Sequence, residues 1–175
     1  DLEGVLGGER MVELTKSASG GNYFVALEGD GQVVVGLVPH YGAPSAPWKL
    51  SYGWATNMNA DILRWGATMF LMSFTGTDGR VGPIVATVDV TSGRGSELEQ
   101  TASATVTMDA AGTYSWPFAS FDGADFHDID QIAYTFTEAS VGITGINMAF
   151  SGFTTDGMPV SLARTTWGQL KTFYR

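Results

Sequence analysis

Residues 84–90 read Ile-Val-Ala-Thr-Val-Asp-Val, and residues 102–108 read Ala-Ser-Ala-Thr-Val-Thr-Met. In both stretches apolar side chains occupy every second position, and most positions between them hold hydroxyl or acidic side chains. Successive side chains of a β-strand point to opposite faces, so this period of two predicts strands with one buried face. The same alternation recurs in four further segments: 48–54, 114–118, 132–136 and 146–150.

Glycine-containing turns separate these predicted strands. The triplet Gly29-Asp30-Gly31 predicts a hairpin between residues 23–28 and 32–38, and residues 109–112 predict a second hairpin between 102–108 and 113–118. Few helices are indicated, and we expect one helical turn within 122–130 and another within 167–174. About ten short strands predict an all-β fold, namely a two-sheet antiparallel β-sandwich of the jelly-roll kind over residues 1–156, followed by a short C-terminal tail at 157–175.

The composition agrees with this fold class and excludes several kinds of site and partner. The chain has 175 residues, the length of one domain, and only 15% of them are charged, against about 25% in a typical soluble domain. The absence of cysteine excludes a disulfide scaffold, zinc–thiolate sites and cysteine catalysis. The net charge of −9 disfavours nucleic acid as a partner, and no apolar run is long enough to span a membrane as a helix.

The sequence begins at Asp1 and not at Met, which indicates either a cleaved signal peptide or a trimmed chain. We expect export from a prokaryotic cell with removal of a signal peptide, and an extracellular or cell-surface location.

Two segments resemble those of exported bacterial surface proteins of the PEP-CTERM and choice-of-anchor type. One is the opening Gly7-Gly8-Glu9-Arg10, which leads into the predicted strand 11–16. The other is residues 118–132, whose spacing is similar to an FxxFxGxDFxxIxxI segment. The resemblance implies a jelly-roll sandwich that resides at the surface or in the matrix, and it carries no catalytic residues. No hydrophobic anchoring helix follows the predicted sandwich.

A cluster of four aspartates is the candidate metal site. Asp122, Asp125, Asp128 and Asp130 lie within nine residues, and a hard cation such as Ca²⁺ prefers oxygen-rich loops. The alternative is a solvated surface loop in which Asp122 or Asp125 caps a helical turn. No cofactor is expected to be required, and structural calcium is the one candidate.

Aromatic residues in the middle of the chain are the candidate ligand-binding residues. Sugar rings stack on exposed aromatic platforms, and Trp65, Trp54 and Tyr41 are the candidates for such a platform. The alternative for Trp48, Tyr52 and Trp54 is the sandwich core, because they share one face of a predicted strand. Glu13, Glu28 and Asp89 are candidate acids for a glycan hydrolase, although none lies in a recognisable catalytic motif.

Charge divides the chain unevenly. All 18 acidic residues lie in 1–156, and three of the nine basic residues lie in 157–175, which leaves −12 on the body and +3 on the tail. Opposite charges steer docking and apolar side chains anchor it, so the tail is a candidate for self-association. Its candidate residues are Arg164, Trp167, Leu170, Lys171, Phe173, Tyr174 and Arg175. An intramolecular lid or an unstructured end is the alternative.

Two uncharged predicted strands, 32–38 and 68–74, would also invite strand pairing between copies if either lay at a sheet edge. Central burial of both is the alternative. The leading hypothesis is a non-catalytic extracellular structural protein that assembles with itself, including as a filament subunit. The alternative is a carbohydrate-binding β-sandwich module with extracellular polysaccharide as its partner, and a glycan hydrolase ranks third.

Overall fold

The computed structural model describes residues 10–14, 22–27, 33–38, 47–76, 83–138 and 146–157. These residues form ten β-strands, two short 3-10 turns and no α-helix. The strands are β1 Arg10–Leu14, β2 Asn22–Leu27, β3 Val33–Val38, β4 Trp48–Tyr52, β5 Met69–Gly76, β6 Ile84–Ser92, β7 Gln100–Met108, β8 Gly112–Pro117, β9 Ile129–Glu138 and β10 Ile146–Thr155.

The strands form two five-stranded antiparallel sheets. Sheet I has the order β1-β4-β9-β6-β7, and sheet II has the order β2-β3-β10-β5-β8. From β3 to β10 successive strands alternate between the two sheets, except that β6 and β7 are neighbours in sheet I. This order is that of an eight-stranded jelly roll, to which β1 and β2 add one strand each. The predicted two-sheet antiparallel sandwich is therefore confirmed.

One predicted hairpin is confirmed and the other is wrong. Strands β2 and β3 pair antiparallel, from Asn22 opposite Val38 to Leu27 opposite Val33. Strands β7 and β8, by contrast, lie at the edges of different sheets, so the turn between them carries the chain across the sandwich. The Tyr114 hydroxyl donates to the Ala110 carbonyl at 2.7 Å and fixes this crossing. Apolar and polar residues alternate along a strand when the strand buries one face against the core. This alternation does not depend on whether the next strand along the chain pairs with it.

The core lies between the inner faces of the two sheets and is dominated by aromatic rings. Trp48 of β4 stacks on Phe136 of β9 with ring centroids 3.9 Å apart. Its ring centroid also lies 4.9 Å from that of Phe150 of β10, and this contact joins sheet I to sheet II. Tyr134 is fully enclosed, and its burial raises the pKa of that hydroxyl well above its ordinary value, so the group stays neutral.

The segment 118–132 forms a second aromatic cluster at one end of the core. Phe118, Phe121 and Phe126 are buried, and their rings surround Phe70 of β5 at centroid distances of 4.9, 5.7 and 6.2 Å. These phenylalanines therefore contribute to core packing. The helical turn expected within 122–130 lies earlier, as a 3-10 turn at Phe118–Ser120.

The two uncharged strands examined as possible edges are both central. Strand β3 lies between β2 and β10, and β5 lies between β10 and β8. The turn expected within 167–174, and the tail as a whole, lie outside the described residues. Among the described residues, no helix has the length and apolarity needed to cross a membrane.

A carboxylate joins the end of β10 to the start of β5. Asp156 Oδ1 accepts hydrogen bonds from the backbone N–H of Thr68 at 2.6 Å and of Met69 at 3.0 Å. The Thr68 hydroxyl donates to the other oxygen, Oδ2. These bonds favour the ionised form, the one to the Thr68 hydroxyl most, and they lower the pKa of Asp156 below its ordinary value.

We expect Asp156→Asn to destabilise the fold at neutral pH by about 1 kcal/mol, a modest value because the carboxylate is exposed. A pKa that is lowered in the folded state stabilises the fold at pH values above the ordinary aspartate pKa. That contribution is lost as the pH falls through the lowered pKa. Urea unfolding at pH 7 and pH 3 should therefore show a smaller difference between wild type and variant at pH 3. An equal difference at both pH values would contradict a role for the charge.

Candidate functional site

The tryptophan that follows β4 leaves the core. Trp48 and Tyr52 are buried on the inner face of sheet I, whereas Trp54 is 47% exposed. The strand ends at Tyr52, and Gly53 takes a left-handed conformation with φ +71°. This conformation breaks the alternation after Tyr52, so the prediction that all three aromatic rings share one face is wrong for Trp54.

The backbone around Trp54 is held by an arginine from another loop. Arg94, in the turn between β6 and β7, donates from Nη1 to the Gly53 carbonyl at 2.6 Å. Its Nη2 donates to the Trp54 carbonyl at 3.0 Å. The fork of the guanidinium thus spans two consecutive carbonyls, which fixes the direction in which the chain leaves β4.

A buried carboxylate fixes the arginine in turn. Asp130, at the start of β9, is 2% exposed, and its Oδ2 accepts from the Arg94 backbone N–H at 2.6 Å. The Asp130 carbonyl accepts from the Met58 N–H at 3.0 Å. Asn57 completes the connection by donating from Nδ2 to the Arg94 carbonyl at 3.1 Å. Three loops therefore converge, and we call this arrangement of Gly53, Trp54, Arg94 and Asp130 the Trp54 platform.

The turn that supplies Arg94 carries the other strongly exposed apolar side chain of the described residues. Leu98 is 78% exposed. The same turn is closed by Glu99, whose Oε2 accepts from the Gly95 N–H at 2.7 Å. The surface beside the platform thus carries an exposed apolar side chain and a carboxylate.

The four candidate metal ligands do not form a site. Asp122, Asp125 and Asp128 are exposed, whereas Asp130 is buried within the Trp54 platform. Asp125 Oδ1 accepts from the His127 N–H at 2.9 Å, which caps its own loop. Among the described residues no group of three or more His, Asp or Glu side chains is placed to hold a metal ion. The predicted site is therefore wrong in its geometry, because one of the four carboxylates points into another set of contacts. Structural calcium as such stays a prediction.

The other candidate ligand-binding residues are only partly described. Trp65 ends the 3-10 turn Leu63–Trp65, and Tyr41 lies outside the described residues. The seven self-association candidates of the tail, from Arg164 to Arg175, also lie outside them. Of the aromatic candidates, Trp54 is the one that the structure shows to be exposed.

The candidate acids of a hydrolase are not brought together. Glu13 lies on β1 and Asp89 on β6, with β4 and β9 between them. Three strand spacings separate their backbones by about 14 Å, whereas paired catalytic carboxylates lie about 5–9.5 Å apart. Asp89 Oδ1 instead accepts from the Ser103 hydroxyl at 2.7 Å. Glu28 lies outside the described residues. The backbones of Glu13 and Asp89 are therefore farther apart than the paired carboxylates of a glycosidase.

Similar folds occur among solved structures of proteins that act on or bind carbohydrates. The family 11 carbohydrate-binding module from Clostridium thermocellum, in complex with a β-1,3-1,4-mixed-linked tetrasaccharide, is 17% identical. That match covers 88% of this chain and 94% of the module, with a TM-score of 0.47. The family 30 module of a Clostridium thermocellum cellulosomal cellulase is 13% identical over 82% of this chain and 84% of that one, with a TM-score of 0.46.

An agarase is 10% identical over 89% of this chain, with a TM-score of 0.50. The match covers 25% of the agarase, so this chain spans about a quarter of that protein's length. Identities this low show a shared sandwich fold and nothing more. No protein-family model and no curated protein matches the chain.

Proposed function

We propose that this chain is a carbohydrate-binding β-sandwich module and that the Trp54 platform is its contact with the glycan. The observation that carries the proposal is a half-exposed indole whose backbone is held by an arginine from another loop. A pyranose ring presents an apolar face of C–H groups, and an exposed indole offers a flat apolar surface of matching size.

Preorganisation of the platform favours affinity for such a ligand. Arg94 holds the Gly53 and Trp54 carbonyls, and the Asp130 carbonyl holds the Met58 N–H. The backbone on both sides of Trp54 therefore needs little further ordering when a sugar binds. The Glu99 carboxylate of the neighbouring turn and the Asn57 amide, three residues after Trp54, are polar groups of the kind that bind glycan hydroxyls.

Charge indicates the class of glycan. A body that carries −12 repels sulfated or carboxylated polysaccharides, so a neutral polysaccharide is the expected partner. The resemblance to exported surface proteins supports an extracellular site of action. Self-assembly through the basic tail stays a prediction, because the tail lies outside the described residues.

We expect Trp54→Ala to weaken binding to a neutral polysaccharide at least tenfold, which corresponds to about 1.4 kcal/mol. Affinity electrophoresis against agarose, mixed-linkage β-glucan and cellulose would measure this change. Trp54→Tyr should retain most of the affinity, since it keeps a flat ring. Leu98→Ala is the matched control, because it removes an exposed apolar side chain from the neighbouring turn without removing a ring.

Two outcomes would overturn the proposal. One is a wild-type protein that none of these neutral polysaccharides retards. The other is a Trp54→Ala variant that binds as the wild type does. The thermal midpoints of Trp54→Ala and Leu98→Ala should stay close to that of the wild type, because both side chains are exposed. An unchanged midpoint would show that a loss of binding does not result from a loss of folding.

A further inference from the structure

Among the strands that the structure describes, β7 is an edge of sheet I. It pairs with β6 over all nine of its residues, from Ser92 opposite Gln100 to Ile84 opposite Met108, and it is the last strand in the sheet order. No other described strand pairs with its far side. A nine-residue edge therefore presents unpaired backbone N–H and C=O groups to a further strand.

The usual protections of an edge strand are missing from β7. Its sequence, Gln-Thr-Ala-Ser-Ala-Thr-Val-Thr-Met, contains no charge, no proline and no glycine, and its register against β6 has no shift. The opposite edge of the same sheet, β1, carries Arg10 and Glu13. In sheet II the edge strand β8 begins at Gly112 and ends at Pro117, and the edge strand β2 is uncharged but has six residues. Charged residues, prolines and short length are the features that discourage pairing at an edge.

The inner face of β7 leaves the core partly open. Ala104 and Val106 point inward but are only half-buried. Their partners on β6, Val88 and Ala86, are fully buried. An added strand would cover these two side chains and complete the burial at this end of the sandwich.

The outer face of β7 carries hydroxyl groups that already pair across the sheet. Thr101 and Thr91 lie 2.9 Å apart at their Oγ1 atoms, and Thr105 and Thr87 lie 3.0 Å apart. The Ser103 hydroxyl between them donates to Asp89. These rows run perpendicular to the strands, so a further hydroxyl-bearing strand would continue them.

We propose that β7 is a homodimer interface, in which β7 of a second copy pairs with it antiparallel across a two-fold axis at Ser103. Residues 101–105 read Thr-Ala-Ser-Ala-Thr, which is the same in both directions. The axis places Thr101 opposite the partner's Thr105 and Ala102 opposite the partner's Ala104. This inference does not depend on the proposed glycan binding.

The self-complementarity of β7 argues for a second copy as the partner. The chain has a net charge of −9, and copies of an acidic protein repel each other over most of their surfaces. Strand β7 is uncharged, so two copies meet without placing like charges opposite each other in the ladder. Pairing would join two five-stranded sheets into one of ten strands. An isologous contact of this kind closes at the dimer and does not by itself build a filament.

The first test is the molar mass of the full chain by sedimentation velocity between 1 and 200 µM. We expect the wild type to dimerise over this range and Thr105→Lys to remain monomeric, because it adds a charge to the edge. Thr87→Lys is the matched control. It removes the same Thr87–Thr105 hydrogen bond and adds the same charge to the same face, but one strand away from the edge, and so should still dimerise.

The second test is a cross-link, which remains informative if a lysine variant fails to fold. Ser103→Cys should form a disulfide-linked dimer under mild oxidation, because the axis places this position opposite its own copy, within disulfide range. Thr107→Cys lies on the same strand and face but about 27 Å from its copy, and so should not cross-link. A wild type that is monomeric at 200 µM, loss of the dimer in both lysine variants or in neither, or equal cross-linking of both cysteine variants would overturn the proposal.

Discussion

Trp48→Ala should lower the free energy of unfolding by about 3–5 kcal/mol, enough to unfold much of the population of a marginally stable domain. The indole is 1% exposed and packs against both Phe136 of sheet I and Phe150 of sheet II. Its removal leaves a cavity at the point where the two sheets meet, and the rings around it are fixed by their own strands. Urea unfolding followed by far-ultraviolet circular dichroism would measure the loss.

A comparison of two phenylalanine variants tests how much the indole N–H contributes to the stability of the core. Trp116 donates from Nε1 to the Ala86 carbonyl, whereas no residue that the structure describes accepts from the buried Nε1 of Trp48. Trp48→Phe should therefore cost less stability than Trp116→Phe, because only the second removes a buried hydrogen bond. The reverse order would contradict this account of the core.

Gly53→Ala should lower the free energy of unfolding by about 3 kcal/mol. Part of this cost arises because alanine disfavours a left-handed backbone, and part because the added Cβ overpacks the site. An added Cβ would lie 2.3 Å from the Asp130 carbonyl oxygen and 2.7 Å from the Met58 Cγ. The backbone of β9 cannot move aside without breaking the Met58–Asp130 hydrogen bond, so we expect the Trp54 platform to open. Thermal unfolding and tryptophan fluorescence would report the two effects.

Gly66→Ala separates the two contributions. Gly66 has φ +70°, nearly that of Gly53, but an added Cβ there meets nothing within 4 Å. This variant should lose about 1 kcal/mol, which reflects the backbone conformation alone. Equal losses in the two variants would show that the close approach to Asp130 contributes nothing.

The alternation of apolar residues predicts the strands well, because one face of nearly every strand is buried against the same core. It does not predict which strands are neighbours. The turn at 109–112 looks like that of a hairpin, yet β7 and β8 lie in different sheets. Pairing of this kind depends on contacts between distant segments, such as β3 with β10 and β4 with β9, and local sequence contains no record of them.

The candidate site is predictable only in part. Trp54 is among the sequence-based candidates, but its separation from Trp48 and Tyr52 depends on the conformation of Gly53. Nothing in the sequence indicates that Arg94 holds the Trp54 carbonyl from 40 residues away. The four aspartates show the opposite kind of error, in which closeness in sequence is mistaken for closeness in space. Carboxylates that are near one another in sequence need not place their oxygen atoms together. Asp130 begins a strand, which turns its side chain away from the loop that holds the other three.

The position of β10 has a consequence for the order of folding. Strand β10 is the last along the chain to be described, yet it lies at the centre of sheet II, between β3 and β5. Its pairing with β3 joins residues more than 100 positions apart, and contacts of such long range make folding slow. A nascent chain that has not yet added residues 146–155 lacks the strand on which both halves of sheet II assemble. The sandwich therefore closes only after residues 146–155 have been synthesised, and until then its apolar strands remain available to chaperones.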